Sequence, residues 1–232
     1  MKRGMVGIVV AVAVLFAGAA SGGEIFIKNA SFEDDFIPWL ESPGWAYSNG
    51  VVVRDMAVWD SSRVIVNDTT AGWLYSGSTI HAGARHPTAA DYPNEVPDGH
   101  IVVYCWGGTF YQILDTDLAS NTEYTLSVWA GWRVNNGAFD ENGRLELWAD
   151  GTRLAYEILV KPDTMGEFAQ TVLTFTTGAD VAPGQKLEVH VVASGTGVVE
   201  FDDVKLFATA IPEPATMTLL ALGTLTVLRR RK

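Results

Sequence analysis

A single cysteine, Cys105, is all that this chain of 232 residues contains, so no disulfide can close within it. Cys105 sits in the apolar run Ile101–Trp106 and reads as a small buried hydrophobe rather than a reactive thiol. Basic residues are scarce away from the ends. Setting aside Lys2, Arg3, Glu213, Arg229, Arg230, Arg231 and Lys232 leaves 10 of the 16 basic and 26 of the 27 acidic residues, a charge of −16. A field of that sign repels phosphate backbones and argues against a nucleic-acid partner. Between about Glu24 and Ala210 no convincing helical period exists. Catalytic signatures are also missing: no GxSxG, HExxH or phosphate-cradling glycine loop stands in its strand-to-helix context. With so many acids, a carboxylate pair spaced for glycoside hydrolysis would arise by chance, so counting them decides nothing.

What the chain does have is two ends that follow membrane rules. Residues 1–21 carry Lys2 and Arg3, then an apolar stretch Met5–Phe16, then Ala17-Gly18-Ala19, which is the anatomy of a cleaved signal peptide. The alternative, an uncleaved anchor, fits the short stretch and its small-residue end less well. At the other end Pro212-Glu213-Pro214 stops any preceding strand, because proline cannot donate to a ladder. Ala215–Leu228 is an uncharged run of 14 residues. As a helix it is about 21 Å long, short of the roughly 30 Å hydrocarbon core, so it spans only marginally. The final Arg229-Arg230-Arg231-Lys232 stays cytoplasmic under the positive-inside rule.

Triplet, short apolar helix and basic end, in that order over Ile211–Lys232, resemble the PEP-CTERM sorting signal; a plain tail anchor is the bland alternative. The resemblance implies recognition by an exosortase-type enzyme and cleavage near the triplet. It further implies tethering to the inner membrane through the 215–228 helix, then delivery to the surface or extracellular matrix of a Gram-negative-type bacterium.

The middle, 22–210, reads as one all-β domain of short alternating runs separated by turn residues, the pattern of an antiparallel sandwich. Expected strands are Ile25–Lys28, Val51–Trp59, His100–Trp106, Thr109–Leu114, Glu123–Trp132, Arg144–Ala149, Arg153–Val160, Phe168–Thr176, Lys186–Val192 and Val198–Phe207. Asp150-Gly151 is a hairpin signal, and Asn142-Gly143 and Pro183-Gly184 punctuate the chain likewise. In Val199–Leu206 the apolar alternation breaks at Asp202-Asp203, which predicts a bulge. Gly72–Asp98 reads as a long solvated loop; its His81, His86, Asp91, Tyr92 and Glu95 match no compact metal motif.

The segments IKNASFED, PGW, VPDGHIVVY, YQILDTDLASNTEYTLSVWAGWR, LELWADGTRLA and VEFDDVKLF occur in a familiar order. Together they resemble the galactose-binding-like jelly roll of carbohydrate-binding modules over nearly all of Glu24–Phe207. That resemblance implies a structural calcium where the first and last strands meet, with Glu33 and Asp202 as ligands and Asp203 a weaker candidate. Hard carboxylate oxygens suit Ca²⁺; the bland alternative is that these groups cap turns or accept backbone N–H bonds.

Alternation also sorts the aromatic residues. Tyr124, Leu126 and Val128 share one face, leaving Trp129 on the other; Leu145 and Leu147 share one face, leaving Arg144, Glu146 and Trp148; Leu187–Val191 leaves Glu188 and His190. If these strands share a sheet, its polar face carries Trp129, Arg144, Glu146, Trp148 and His190, with Trp132 and Arg133 as a rim. Flat rings beside planar polar groups suit a sugar, whose C–H faces stack while its hydroxyls bond sideways. The competing reading buries both indoles under a loop. The resulting expectation is a non-catalytic surface or matrix protein that binds extracellular polysaccharide. The alternatives are a structural matrix component without a small ligand and a polysaccharide-processing hydrolase.

Overall fold

Apolar residues recurring at every second position commit the chain to strands whose inner faces need a partner sheet, and the computed structural model supplies one. It describes residues 22–33, 45–48, 51–54, 73–76, 82–134 and 137–212. The expected signal peptide and tail helix fall outside those residues, as do Glu213, Pro214 and Arg229–Arg231. Among the described residues no helix is long and apolar enough to cross a membrane.

Thirteen strands follow in chain order: β1 Gly23–Ile25, β2 Trp45–Ser48, β3 Val51–Arg54, β4 Leu74–Ser76, β5 Ala82–Arg85, β6 Val102–Cys105, β7 Gly108–Asp117, β8 Thr122–Trp132, β9 Arg144–Ala149, β10 Thr152–Ile158, β11 Glu167–Thr176, β12 Lys186–Ala193 and β13 Val199–Ala210. Every pairing between them is antiparallel. The larger sheet runs β11-β8-β13-β6-β5-β2-β3 with β1 added to β13; the smaller runs β10-β9-β12-β7-β4. This is an all-β sandwich, and Gly22–Ile211 make one compact unit.

The core lies between the sheets and follows the alternation. Leu126, Val128, Val199, Phe201, Val204 and Leu206 come from the larger sheet; Phe110, Leu145, Leu147, Leu187, Val189 and Val191 come from the smaller. The bulge at the aspartate pair is present: the β13–β8 register shifts between Asp202 and Lys205, and Asp203 takes a left-handed φ of 49°. The freed Val204 N–H donates to the Ala30 carbonyl, which ties the segment after β1 to the last strand. Asp150-Gly151 turns β9 into β10, both residues at positive φ.

One expectation changes. The stretch read as one long loop, Gly72–Asp98, contains β4 and β5. β5 is Ala-Gly-Ala-Arg, without a single β-branched residue, yet all four residues are buried. Burial between β2 and β6 outweighs its weak strand propensity. Of the expected strand Val51–Trp59, Val51–Arg54 is β3 and the remainder lies outside the described residues.

Candidate ligand faces on the two sheets

The outer face of the smaller sheet carries three rows of side chains across β7, β12, β9 and β10. Register places Tyr111, His190, Glu146 and Tyr156 in one row, and Ile113, Glu188, Trp148 and Arg153 in the next. Thr109, Val192, Arg144 and Ile158 form the third. Strand spacing of about 4.8 Å makes each row roughly 14 Å wide. Glu146 organises the field. Its Oε1 accepts from Arg144 Nε at 2.7 Å and Arg153 Nη1 at 3.1 Å, and its Oε2 accepts from Trp148 Nε1 at 2.7 Å. Burial alone would raise its pKa, but these three donors hold the carboxyl below its ordinary value. A carboxylate fixed in that way is a scaffold and not a proton donor. His190 Nε2 lies 3.0 Å from Glu188 Oε2, and the imidazole stacks on Trp148 with centroids 4.7 Å apart and planes 11° apart. Burial pushes the His190 pKa down despite the Glu188 and Glu146 carboxylates, which keeps the ring neutral at pH 7. Of the residues expected to share this face, Arg144, Glu146, Trp148 and His190 do.

Trp129 does not. β8 pairs with β11 and β13, so Trp129 projects from the larger sheet, opposite Gln170 and Asp202 in register. Alternation assigns a residue to a face of its own strand and says nothing about which sheet that strand joins. Nor do Trp132 and Arg133 rim the Trp148 face: both lie at the end of β8, where Trp132 donates its N–H to the Gly137 carbonyl under Lys161.

The larger sheet's outer face holds a cluster that sequence reasoning missed. Arg85, at the end of β5, reaches Asp91 Oδ2 at 2.7 Å and Glu200 Oε1 at 3.0 Å. Arg133 Nε stands 3.8 Å from Glu200 and 4.0 Å from Asp91. Arg85 is 4% exposed and Glu200 1%. Burial alone would lower the Arg85 pKa, yet the two carboxylates raise it, so the guanidinium is permanently charged. Asp91 is held down by Arg85 and the Thr88 N–H and hydroxyl, against burial. Tyr92 lies over the same cluster; burial, then the nearby Glu200 charge, push its pKa well up. Arg85 Nε is buried without a hydrogen-bond partner among the described residues, while the Tyr92 hydroxyl faces the Glu200 carboxylate. A buried polar atom left in this way calls for a further partner, such as a water, an ion or a ligand. Next to the cluster, a cleft of about 270 Å³ is lined by His86, Thr88, Tyr92, Asn94, Glu95 and His100 among others. The only sequence signal for this site was an acid, Glu200, alternating with core residues Val199 and Phe201.

Glu33 and Asp202 converge on the turn before β6. Glu33 Oε1 accepts the N–H groups of His100 and Ile101, at 2.7 and 2.6 Å. Asp202 Oδ2 accepts from Asp98 N–H at 2.9 Å and its Oδ1 from Asp203 N–H at 2.7 Å. Lys205 bonds Asp203 at 2.6 Å. Three of the four Glu33 and Asp202 oxygens thus bind amide hydrogens, and no group of three or more His, Cys, Asp or Glu side chains among the described residues is placed to hold a metal. Gly99 is required here: at φ 60°, a Cβ would meet Glu33 Cδ at 2.3 Å.

With the geometry in place, comparison with known proteins adds the following. The family profile for HpiC1-like proteins, described as HpiC1 cyclase, matches residues 23–207, and that of the PEP-CTERM protein-sorting motif matches 210–232. A Stig cyclase, Fisc, from Fischerella sp. TAU, solved with (3Z)-3-(1-methyl-2-pyrrolidinylidene)-3H-indole, is 25% identical with a TM-score of 0.62, covering 83% of this chain and 100% of that one. A cyclase from Fischerella sp. TAU is 26% identical at a TM-score of 0.60, over 83% of this chain and 100% of its own. A third structure, a cyclase from Fischerella sp. TAU with 4-(1H-indol-3-yl)butan-2-one, is 24% identical at 0.60, over 82% and 100%. No curated protein matches the chain.

Proposed function

We propose, from the premise that this chain belongs to the HpiC1-like cyclase family and is an exported, exosortase-sorted protein, that its sandwich serves at the cell surface by binding carbohydrate without transforming it. The observation behind this reading is the three-row field on the smaller sheet. It sets the planar groups of Tyr111, His190, Trp148 and Tyr156 beside the guanidiniums of Arg144 and Arg153. Its width of about 14 Å accommodates two to three pyranose rings side by side. Charges balance locally, with Glu146 and Glu188 against the two arginines, so the field suits neutral hydroxyl-rich ligands better than polyanions. Glu146 is committed to three donors, which favours binding over turnover.

Glycan-array binding with Trp148→Ala tests this reading. The half-buried indole contributes one charge-assisted hydrogen bond and one stack, so its loss should cost no more than about 3 kcal/mol of stability. The variant should stay folded and lose at least tenfold in affinity. A folded variant with unchanged glycan affinity would reject the field as the ligand site.

A second reading is favoured by the buried polar cluster around Glu200. In a family of cyclases, a buried carboxylate and phenol beside a cleft suit acid–base chemistry on a small planar ligand. Saturable binding of 4-(1H-indol-3-yl)butan-2-one, abolished by Glu200→Gln while glycan binding persists, would favour this reading over the first.

A further inference from the structure

Both ends of the folded unit leave it at one pole. β1 runs antiparallel to β13 with Gly23 opposite Ala208, and a Cβ on Gly22 would meet Thr209 Oγ1 at 2.4 Å. Alongside, β13 stays zipped to β8 through its last residue, Ala210 opposite Thr122. Ile211 still donates its N–H to the Asn121 carbonyl at 2.6 Å. The turn holding that carbonyl is itself fastened. Asn121 N–H donates to Gly178 O at 2.9 Å, Thr122 N–H to Thr177 Oγ1 at 2.9 Å, and the Thr177 hydroxyl to Ala119 O at 2.7 Å. The sorting motif begins at residue 210. Its first two residues are therefore part of a hydrogen-bonded sheet, and Pro212 follows with no linker between.

An enzyme that cuts a peptide must take several residues around the scissile bond into its own cleft as extended chain, which a strand already paired to its neighbour cannot supply. We propose that this pole of the sandwich is the surface that meets the exosortase, and that the enzyme reads its motif only after the end of β13 has peeled from β8. Strand ends are the cheapest parts of a sheet to open. Each net hydrogen bond lost holds the open form down about fivefold, so two or three pairs suffice to slow the cut without forbidding it. The cut is one peptide bond: the enzyme's nucleophile takes the acyl half, water or an amine then receives it, and the tail leaves as the amine half. Around the strand end, Ala119, Ser120, Gly178 and Ala179 are exposed and small, which leaves room for close approach.

Glu123 and Thr209 lie opposite one another near this end and are both exposed. Glu123→Cys with Thr209→Cys places a disulfide across the closing pair, and the native Cys105 is fully buried and cannot compete. In cells carrying the cognate exosortase, tail loss from the full chain is followed by pulse labelling and intact mass. The cross-linked chain should lose its tail at least tenfold more slowly and recover with a thiol reductant, each single variant behaving as the parent. A twelve-residue Gly-Ser insertion between Ile211 and Pro212 should restore processing of the cross-linked chain and speed that of the parent several-fold. Tail loss from the cross-linked chain at the parental rate overturns the proposal. So does an insertion that leaves the parental rate unchanged, a result that does not depend on the cross-linked chain folding.

Discussion

Replacing Arg85 with alanine should cost about 3–5 kcal/mol, the range for removing one partner of a buried ion pair. The guanidinium is the centre of the cluster on the larger sheet, bonding Asp91 at 2.7 Å and Glu200 at 3.0 Å. Without it the Glu200 carboxylate, 1% exposed, keeps no cation nearer than Arg133 at 3.8 Å among the described residues. Set against a typical domain stability of about 5–15 kcal/mol, that loss removes a third or more. Arg85→Lys should recover little, because an ammonium cannot span two carboxylates as the fork does. Arg85→Met with Glu200→Met should recover most, since the pair's stabilisation is largely offset by its desolvation. Urea unfolding of the four proteins checks the series. A loss below about 1 kcal/mol for Arg85→Ala would mean that Arg133 neutralises Glu200 unaided.

Stability should fall as pH rises from 7 to 8, and Asp202 should be the cause. Burial pushes its pKa up to about 8 from an ordinary 3.8, overriding the two N–H bonds it accepts. A folded pKa above the unfolded one means that folding favours the protonated form. Its contribution is complete below about pH 4 and is lost as pH passes through about 8, at about 1.4 kcal/mol per unit across that window. Three other groups work in the opposite sense at lower pH. His190, its pKa lowered, loses stability as pH falls below 6.5, and Asp91 and Glu146 do so in the usual carboxylate range. The window from 7 to 8 therefore isolates Asp202. Denaturation midpoints should decline across it in chelator, and Asp202→Asn should flatten the slope. Millimolar calcium tests the proposed Glu33–Asp202 site in the same experiment: a bound cation would pull the carboxyl pKa down and remove the decline. An identical slope for parent and Asp202→Asn would show that the carboxyl is already ionised.

Much of the sandwich is readable from alternation, because a strand half-buried against a core must alternate whatever its neighbours. β9 is Arg144–Ala149 as expected, β12 extends its predicted span by one residue, and the inward sets of β8, β9 and β12 hold. The bulge at Asp202-Asp203 shows for the same reason: an extra residue breaks a period of two. What cannot be read is which strands share a sheet, since that depends on contacts between distant positions. Trp129 and Trp148 have equivalent patterns and end on different sheets. Arg85 and Glu200 are 115 positions apart, and Arg85 sits in a strand of small residues with little strand character of its own. The four smaller-sheet residues were found because each stands alone among apolar neighbours in a strand with strong alternation.

β13 joins the pole where the chain leaves the domain to the end that holds Glu200. Eleven residues separate Glu200 from Ile211 along it, which at about 3.3 Å per residue is roughly 35 Å. The strand thus spaces the cleft and its buried ions about 35 Å, along its own length, from the point where the chain leaves the domain. At physiological ionic strength the Debye length is about 8 Å, so a separation of four such lengths damps a potential arising at the exit pole about fiftyfold. Whatever charge gathers where the chain leaves the domain is therefore barely registered by the buried ions at the other end of the strand.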